Sequence, residues 1–265
     1  MDIKEIQKVL IEDYIVINKI CEENNLLLYV TGGTCLGAVR HNGFIPWDDD
    51  IDLAMPRKDY NKFTEVSQNY LPSYMKLKMN KISKCYRIAD TRFPVKVDDF
   101  VSDLQLEQDE EAFLYIDLQA IDGASNNKLC CYIHSVRVIF HRVCYKLCNP
   151  SKIHMEPWRK KVVNLAICLF HKLPVLFNDE DKLYSRYISS MVRYDYYKSK
   201  YCANYYGKYG LKDVYPREWW GKGITHAFEN TYVRIPVNYD KYLRSIYGDY
   251  MNLPPERERV THIEK

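Results

Sequence analysis

Apolar positions at Ile3, Ile6, Val9/Leu10, Tyr14, Ile17 and Ile20/Cys21 recur at helical spacing and predict a helix over residues 3–23 with one face inward. Asn24-Asn25 ends it, and Leu26 to Val30 reads as a buried strand. Gly32-Gly33-Thr34 breaks that strand, a short helix runs through Leu36, Val39 and Arg40, and His41-Asn42-Gly43 is a turn. The stretch Ile45 to Met55 is predicted to contain a second strand that carries Asp48-Asp49-Asp50-Ile51-Asp52. Pro56 suits the first turn of a helix with inward Tyr60, Phe63 and Val66. Short strands are predicted near Leu77, at Tyr86-Ile88 and at Phe113-Leu118. Two apolar-rich helices split at Asn149-Pro150 follow from Lys128, then a helix from Asp179 to Tyr194 and one from Tyr239 to Tyr247. Strands and helices mixed in this way predict an α/β (α+β) chain. We divide it into a core at 1–125, a basic helical insert at 126–200 and a segment from 201 to 265 that completes a single domain.

Length and composition narrow the class. The 265 residues are 47% hydrophobic and 28% charged, enough to bury a core without a disulfide or metal staple and unlike a disordered chain. A net charge of +3 gives no support for a nucleic-acid binder. The charge is uneven, however: residues 128–172 sum to +8. Nine cysteines with no Cys-x-x-Cys pair, and a charged N-terminus without an apolar signal core, predict reduced thiols in a cytoplasmic protein. The longest mainly apolar stretch, Val162 to Phe170, is far too short to cross a bilayer.

The chemistry concentrates between Thr31 and Asp52. On a strand, Asp48, Asp50 and Asp52 share one face. Like charges so placed oppose one another's ionisation, and a divalent cation such as Mg²⁺, with Mn²⁺ as its substitute, removes the conflict. The bracketing residues Ile45, Trp47, Ile51, Leu53 and Met55 belong in a core, which argues against a solvated acidic loop. An EF-hand is rejected because its sixth and twelfth positions are Leu53 and Asp59. Gly32-Gly33-Thr34 ahead of a helix is suited to cradling phosphate. A further carboxylate comes from Leu114 to Gly123. Asp117 sits within an apolar strand and is assigned as ligand or general base, whereas Asp122 before Gly123 fits a turn.

The segment Gly32 to Asp52, the following Met55-Pro56-Arg57-x-Asp59-Tyr60, and the tail Tyr247-Gly248-Asp249-Tyr250-Met251-x-Leu253-Pro254-Pro255-Glu256 resemble the LicD family, related to the fukutin-related branch of the nucleotidyltransferase fold. The resemblance implies transfer of phosphocholine, or a similar phosphoalkyl group, from a CDP-linked donor to a cell-surface glycan such as lipopolysaccharide, teichoic acid or capsule. It implies donor phosphate at Gly32, Gly33 and Thr34, Mg²⁺ on Asp50 and Asp52 with Asp48 beside them, and the third acid at Asp117. Two departures are visible. Gln119-Ala120 stands where members often carry Phe-Pro, and a single His262 stands where a His-His pair is common.

Arg40, His41 and Arg87 are further candidates for steadying donor phosphate. Trp219-Trp220 with Tyr205, Tyr206 and Tyr209 would box a quaternary ammonium or pack in the core, the latter being the preferred reading. Glycerol phosphate, ribitol phosphate or a phosphonate are alternative transferred groups, and a non-catalytic nucleotide binder or membrane-surface scaffold is the alternative class. The basic segment 128–172 is read in two ways: as peripheral contact with the inner face of a membrane, where a lipid-linked acceptor would be presented, or as helices packed on the catalytic core.

Overall fold

A computed structural model describes residues 1–80, 85–95, 112–147, 179–207, 209–259 and 261. Helix α1 (Ile3–Glu23) opens on a reciprocal cap. Asp2 Oδ1 accepts from Glu5 N–H and Glu5 Oε2 accepts from Asp2 N–H, each at 2.9 Å. It buries Ile6, Leu10, Tyr14, Ile17 and Ile20, and Asn25 at φ 54° turns the chain back. Strand β1 (Tyr29–Val30) leads directly into α2 (Gly32–His41). The glycines are therefore the first residues of the helix rather than a separate turn.

Strand β2 is only Asp52–Pro56, shorter than the sequence predicts. Asp48 to Ile51 lie ahead of it outside any ladder, yet exposure still alternates there: Asp49 and Ile51 are buried, Asp48, Asp50 and Asp52 are not. The predicted strand therefore does not carry all three acids: only Asp52 lies in β2, and Asp48 and Asp50 share with it a half-buried exposure. Pro56 caps α3 (Arg57–Tyr70) instead of standing in its first turn. Strands β3 (Met75–Met79), β4 (Tyr86–Val95) and β5 (Ala112–Ala124) follow.

The main sheet runs β1-β2-β5-β4-β3, with β2 and β5 parallel and the other pairs antiparallel. Beyond the helices α4 (Lys128–Leu147) and α5 (Glu180–Met191), strands β6 (Tyr201–Ala203) and β7 (Val214–Pro216) extend the same sheet from the end of β5. A hairpin of β8 (Ile224–Phe228) and β9 (Thr231–Ile235) and helix α6 (Tyr239–Tyr247) complete the fold, which is α+β with a mixed sheet. The second predicted insert helix, most of the 128–172 basic segment beyond Leu147, and His262 lie outside the described residues.

Along β5 the residues alternate. Leu114, Ile116, Leu118 and Ala120 are buried, while Tyr115, Asp117 and Gln119 lie on the more open face. Asp122 is not in a turn: β5 continues through it. Gly123 is required there by close approach, since a Cβ would stand 2.6 Å from the Asp195 and Tyr194 backbone. Among the described residues no helix is long and apolar enough to cross a membrane, and no disulfide is formed.

Candidate active site

The site is built where the start of α2 meets the edge of β2. Thr31 N–H donates to Asp52 O, and Asp52 N–H donates to Thr34 Oγ1, each at 2.9 Å. These bonds fix the two elements against each other and commit the buried Thr34 hydroxyl to positioning Asp52. A Cβ at Gly32 would stand 2.7 Å from Asp52 Oδ2, and one at Gly33 3.0 Å from Asp48 Oδ2. Gly32 also has φ +52°, a conformation side chains resist. The glycines thus let two carboxylates approach the positive end of the helix, which also favours a phosphate. Gly32 N–H donates to the Tyr242 hydroxyl at 3.0 Å. Burial pushes that hydroxyl's pKa up, so it stays protonated.

Asp52 and Asp117 are partners across the parallel β2–β5 pair, and Asp117 and Arg87 are partners across β5–β4. Neighbouring strands lie about 4.8 Å apart, so the three side chains form one row on the open face. Arg87 Nε donates to Asp117 Oδ1 at 2.8 Å, and its guanidinium stacks 4.0 Å from the centre of the Tyr115 ring. Burial works against the Arg87 charge, but Asp117 and Tyr115 outweigh it and hold the guanidinium protonated. Two residues along β5, Gln119 Nε2 donates to Asp52 Oδ1 at 3.3 Å, and Gln119 Oε1 accepts from Asn204 Nδ2.

These contacts bring together Gly32, Gly33, Thr34, Asp48, Asp52, Asp117 and Arg87, and Asp50 lies half-buried on the segment just ahead of β2. Arg40 and His41 sit apart, at the far end of α2, about 12 Å along the axis from Gly32. Arg40 Nη1 donates to Tyr250 O at 2.7 Å, fastening the C-terminal segment. Asp122 faces the helix-covered side, fully buried, with both oxygens 2.8 Å from the Arg57 guanidinium. Trp220, Tyr205 and Tyr206 are buried in the core, and Tyr205 and Tyr206 spend their hydroxyls on Ser135 and Arg57. Gln119, Asn204 and Tyr242 are site residues that the sequence reading passed over. Gln119 was legible, because strand period two puts it on the face of Asp117.

The acids suit a hard cation by donor type, but they are not a closed cage. Among the described residues no three His, Cys, Asp or Glu side chains converge tightly enough to hold an ion by themselves. Mg²⁺ is commonly held by one or two carboxylates plus substrate phosphates, and Asp48 and Asp52 beside the first turn of α2 are a donor set compatible with that mode.

Residues 25–118 match the family model described as LicD/FKTN/FKRP, nucleotidyltransferase domain, which spans α2, β2, Asp117 and Arg87. The chain is 27% identical over 247 residues to the lipopolysaccharide cholinephosphotransferase LicD of Haemophilus influenzae, covering 92% of this chain and 89% of that protein. Shorter matches join it to an uncharacterized protein of Rickettsia typhi, 35% identical over 65 residues (24% of this chain, 21% of that one). Another joins it to an uncharacterized protein of Rickettsia prowazekii, 43% identical over 42 residues (16% of each). The family's domain is thus matched across the acid-bearing strands, a relative aligns along nearly its whole length, and the likeness of this chain is to the LicD family.

Proposed function

We propose that this chain transfers phosphocholine, or a closely related phosphoalkyl group, from a CDP-linked donor to a hydroxyl of a cell-surface glycan, with lipopolysaccharide the first acceptor to test. The observation that carries the reading is the convergence of Asp52 on Gly32 at the start of α2, with Asp117 and Arg87 in the next places of the same row. The choice of phosphocholine leans on the likeness to the Haemophilus protein.

In this reading the start of α2 takes the donor phosphates, and Arg87 adds positive charge beside them. The acceptor oxygen forms a bond to the donor's distal phosphorus as the bond from that phosphorus to CMP breaks. Asp117 receives the hydroxyl proton, its carboxylate oriented by Arg87. Asp50 and Asp52, with Asp48 beside them, would hold Mg²⁺ or Mn²⁺, which when bound would neutralise charge on the leaving phosphate. Gln119 and Asn204 keep the Asp52 carboxylate turned toward the donor.

A thermal-shift panel tests donor class. CDP-choline, CDP-glycerol, CDP-ribitol and CMP-phosphonates are each added with Mg²⁺. The reading predicts the largest stabilisation with CDP-choline. No stabilisation by any cytidine nucleotide would remove it, and a larger shift with another donor would reassign the transferred group.

A further inference from the structure

Outside the catalytic row, α4 and α5 enclose a pocket of one charge sign. His134, Arg137 and His141 of α4 line it at i, i+3 and i+7, opposite Arg186 and two serines of α5, with Arg193 just beyond that helix. No acidic side chain lines it. The His134 ring is wedged edge-on against Tyr194 and Tyr205, at 4.9 and 5.9 Å, and only 6% of the residue is exposed. Its Nε2 is buried without a hydrogen-bond partner. Burial and the charges of Arg193 and Arg137 hold this imidazole neutral, with its pKa lowered to about 4. Three guanidiniums lining one pocket with no acid among them form a receptor for a phosphate-like anion.

The outward side of the same helix is apolar. Leu129, Tyr132, Ile133, Val136, Phe140 and Val143 are 67%, 57%, 58%, 43%, 53% and 46% exposed. At ~100° per residue they occupy an arc about 100° wide, and Arg137 stands some 40° beyond its edge. A soluble phosphate accounts for the pocket and leaves this arc unexplained. An apolar helix face flanked by basic side chains is the build of a helix that lies in a bilayer interface.

We propose that the α4–α5 face is a membrane-docking surface: the apolar arc of α4 enters the interfacial layer of an anionic bilayer, and the arginine pocket beside it takes a lipid phosphate. Helix α4 is the described part of the 128–172 segment, and the surface adds α5 and Arg193 to it. The surface stands apart from the transferase reading, because recruitment is measured without turnover.

The experiment is flotation of the full chain with phosphatidylcholine vesicles, with and without phosphatidylglycerol, at low and high salt. Wild type is expected to float only with the anionic vesicles and to be released as salt rises. The double change Arg137→Gln/Arg186→Gln removes two charges, each worth roughly fivefold, and is expected to weaken binding ~30-fold. Val136→Ser/Phe140→Ser keeps the charge and removes apolar area, with at least ~10-fold weakening expected. Both variants alter exposed or pocket-lining positions and should melt with wild type; the comparison uses only variants that do. Absence of anionic-vesicle binding at low salt overturns the proposal. So does an arginine variant that floats as wild type does. Perturbation of the His134 ring by inorganic phosphate without vesicle binding would make the pocket a site for soluble phosphate. A dimer lost on Phe140→Ser, again without vesicle binding, would make the arc a self-association face. Either result also overturns the proposal.

Discussion

Asp52 and Asp117 are paired in register across the parallel strands β2 and β5, 65 residues apart in sequence and neighbours in space. That pairing brings the acid nearest the α2 glycines beside the acid held by Arg87.

Changing Asp50→Asn or Asp52→Asn removes a negative charge with little change in volume. Each is expected to lower turnover at least ~100-fold, about 2.7 kcal/mol, with the fold retained. Steady-state rates alongside melting curves check this. A variant with wild-type turnover would remove that aspartate from the assignment.

The two acids of β5 should respond oppositely to mutation. Asp117→Asn is expected to lower kcat while melting near wild type. Asp122→Ala leaves the Arg57 guanidinium buried without its partner and is expected to cost about 3–5 kcal/mol of stability. Denaturant unfolding of the two variants checks the contrast, and equal destabilisation would refute the division of roles. Arg87→Gln withdraws the cation that favours ionised Asp117, so the ascending limb of the kcat–pH profile should move to higher pH.

At the helix start, Gly33→Val places side-chain atoms against Asp48 Oδ2. Donor affinity should fall by more than the melting temperature suggests. Gly32→Ala adds strain at φ +52° and should lower both. Calorimetric titration with CDP-choline distinguishes the two, and unchanged affinity in Gly33→Val would leave the turn a purely structural element.

A second acidic cluster lies on the helix-covered face. Asp13 of α1 is 2% exposed and 3.5 Å from Arg92, which pairs with Asp90 at 2.6 Å. Burial first, then the Asp90 charge, pushes the Asp13 carboxyl up to about 8. The folded state therefore holds a proton that the unfolded chain, with the ordinary carboxyl value of 3.8, releases. Stability from this group is fully present below pH ~4 and declines as pH rises toward 8. Asp13→Asn should flatten that decline, and a melting series from pH 5 to 9 with an unaltered slope would contradict it.

Much of this was legible in sequence, for local reasons. The period of α1 and the alternation of β5 around Asp117 follow from side-chain geometry alone. Three features were not. The β2 ladder begins only at Asp52, because pairing partners on β5 set where a strand starts. Asp122 before Gly123 looked like a turn, and only the approach of Tyr194 and Asp195 explains a glycine inside a strand. Arg40 follows the phosphate turn in sequence, but a helix carries it a full α2 length away. Tyr242 reaches Gly32 from 210 residues downstream, a contact with no local signal.

Metal-dependent transfer by this row of acids has a direct chemical readout. The direct measurement is ³¹P NMR of CDP-choline with a lipopolysaccharide acceptor and wild-type protein, in Mg²⁺, after EDTA, and after Mg²⁺ is restored. The account predicts CMP and a new phosphodiester signal on the glycan, lost with EDTA, regained with Mg²⁺ and absent throughout for Asp52→Asn. CMP release that persists in EDTA, or in Asp52→Asn at the wild-type rate, would contradict it.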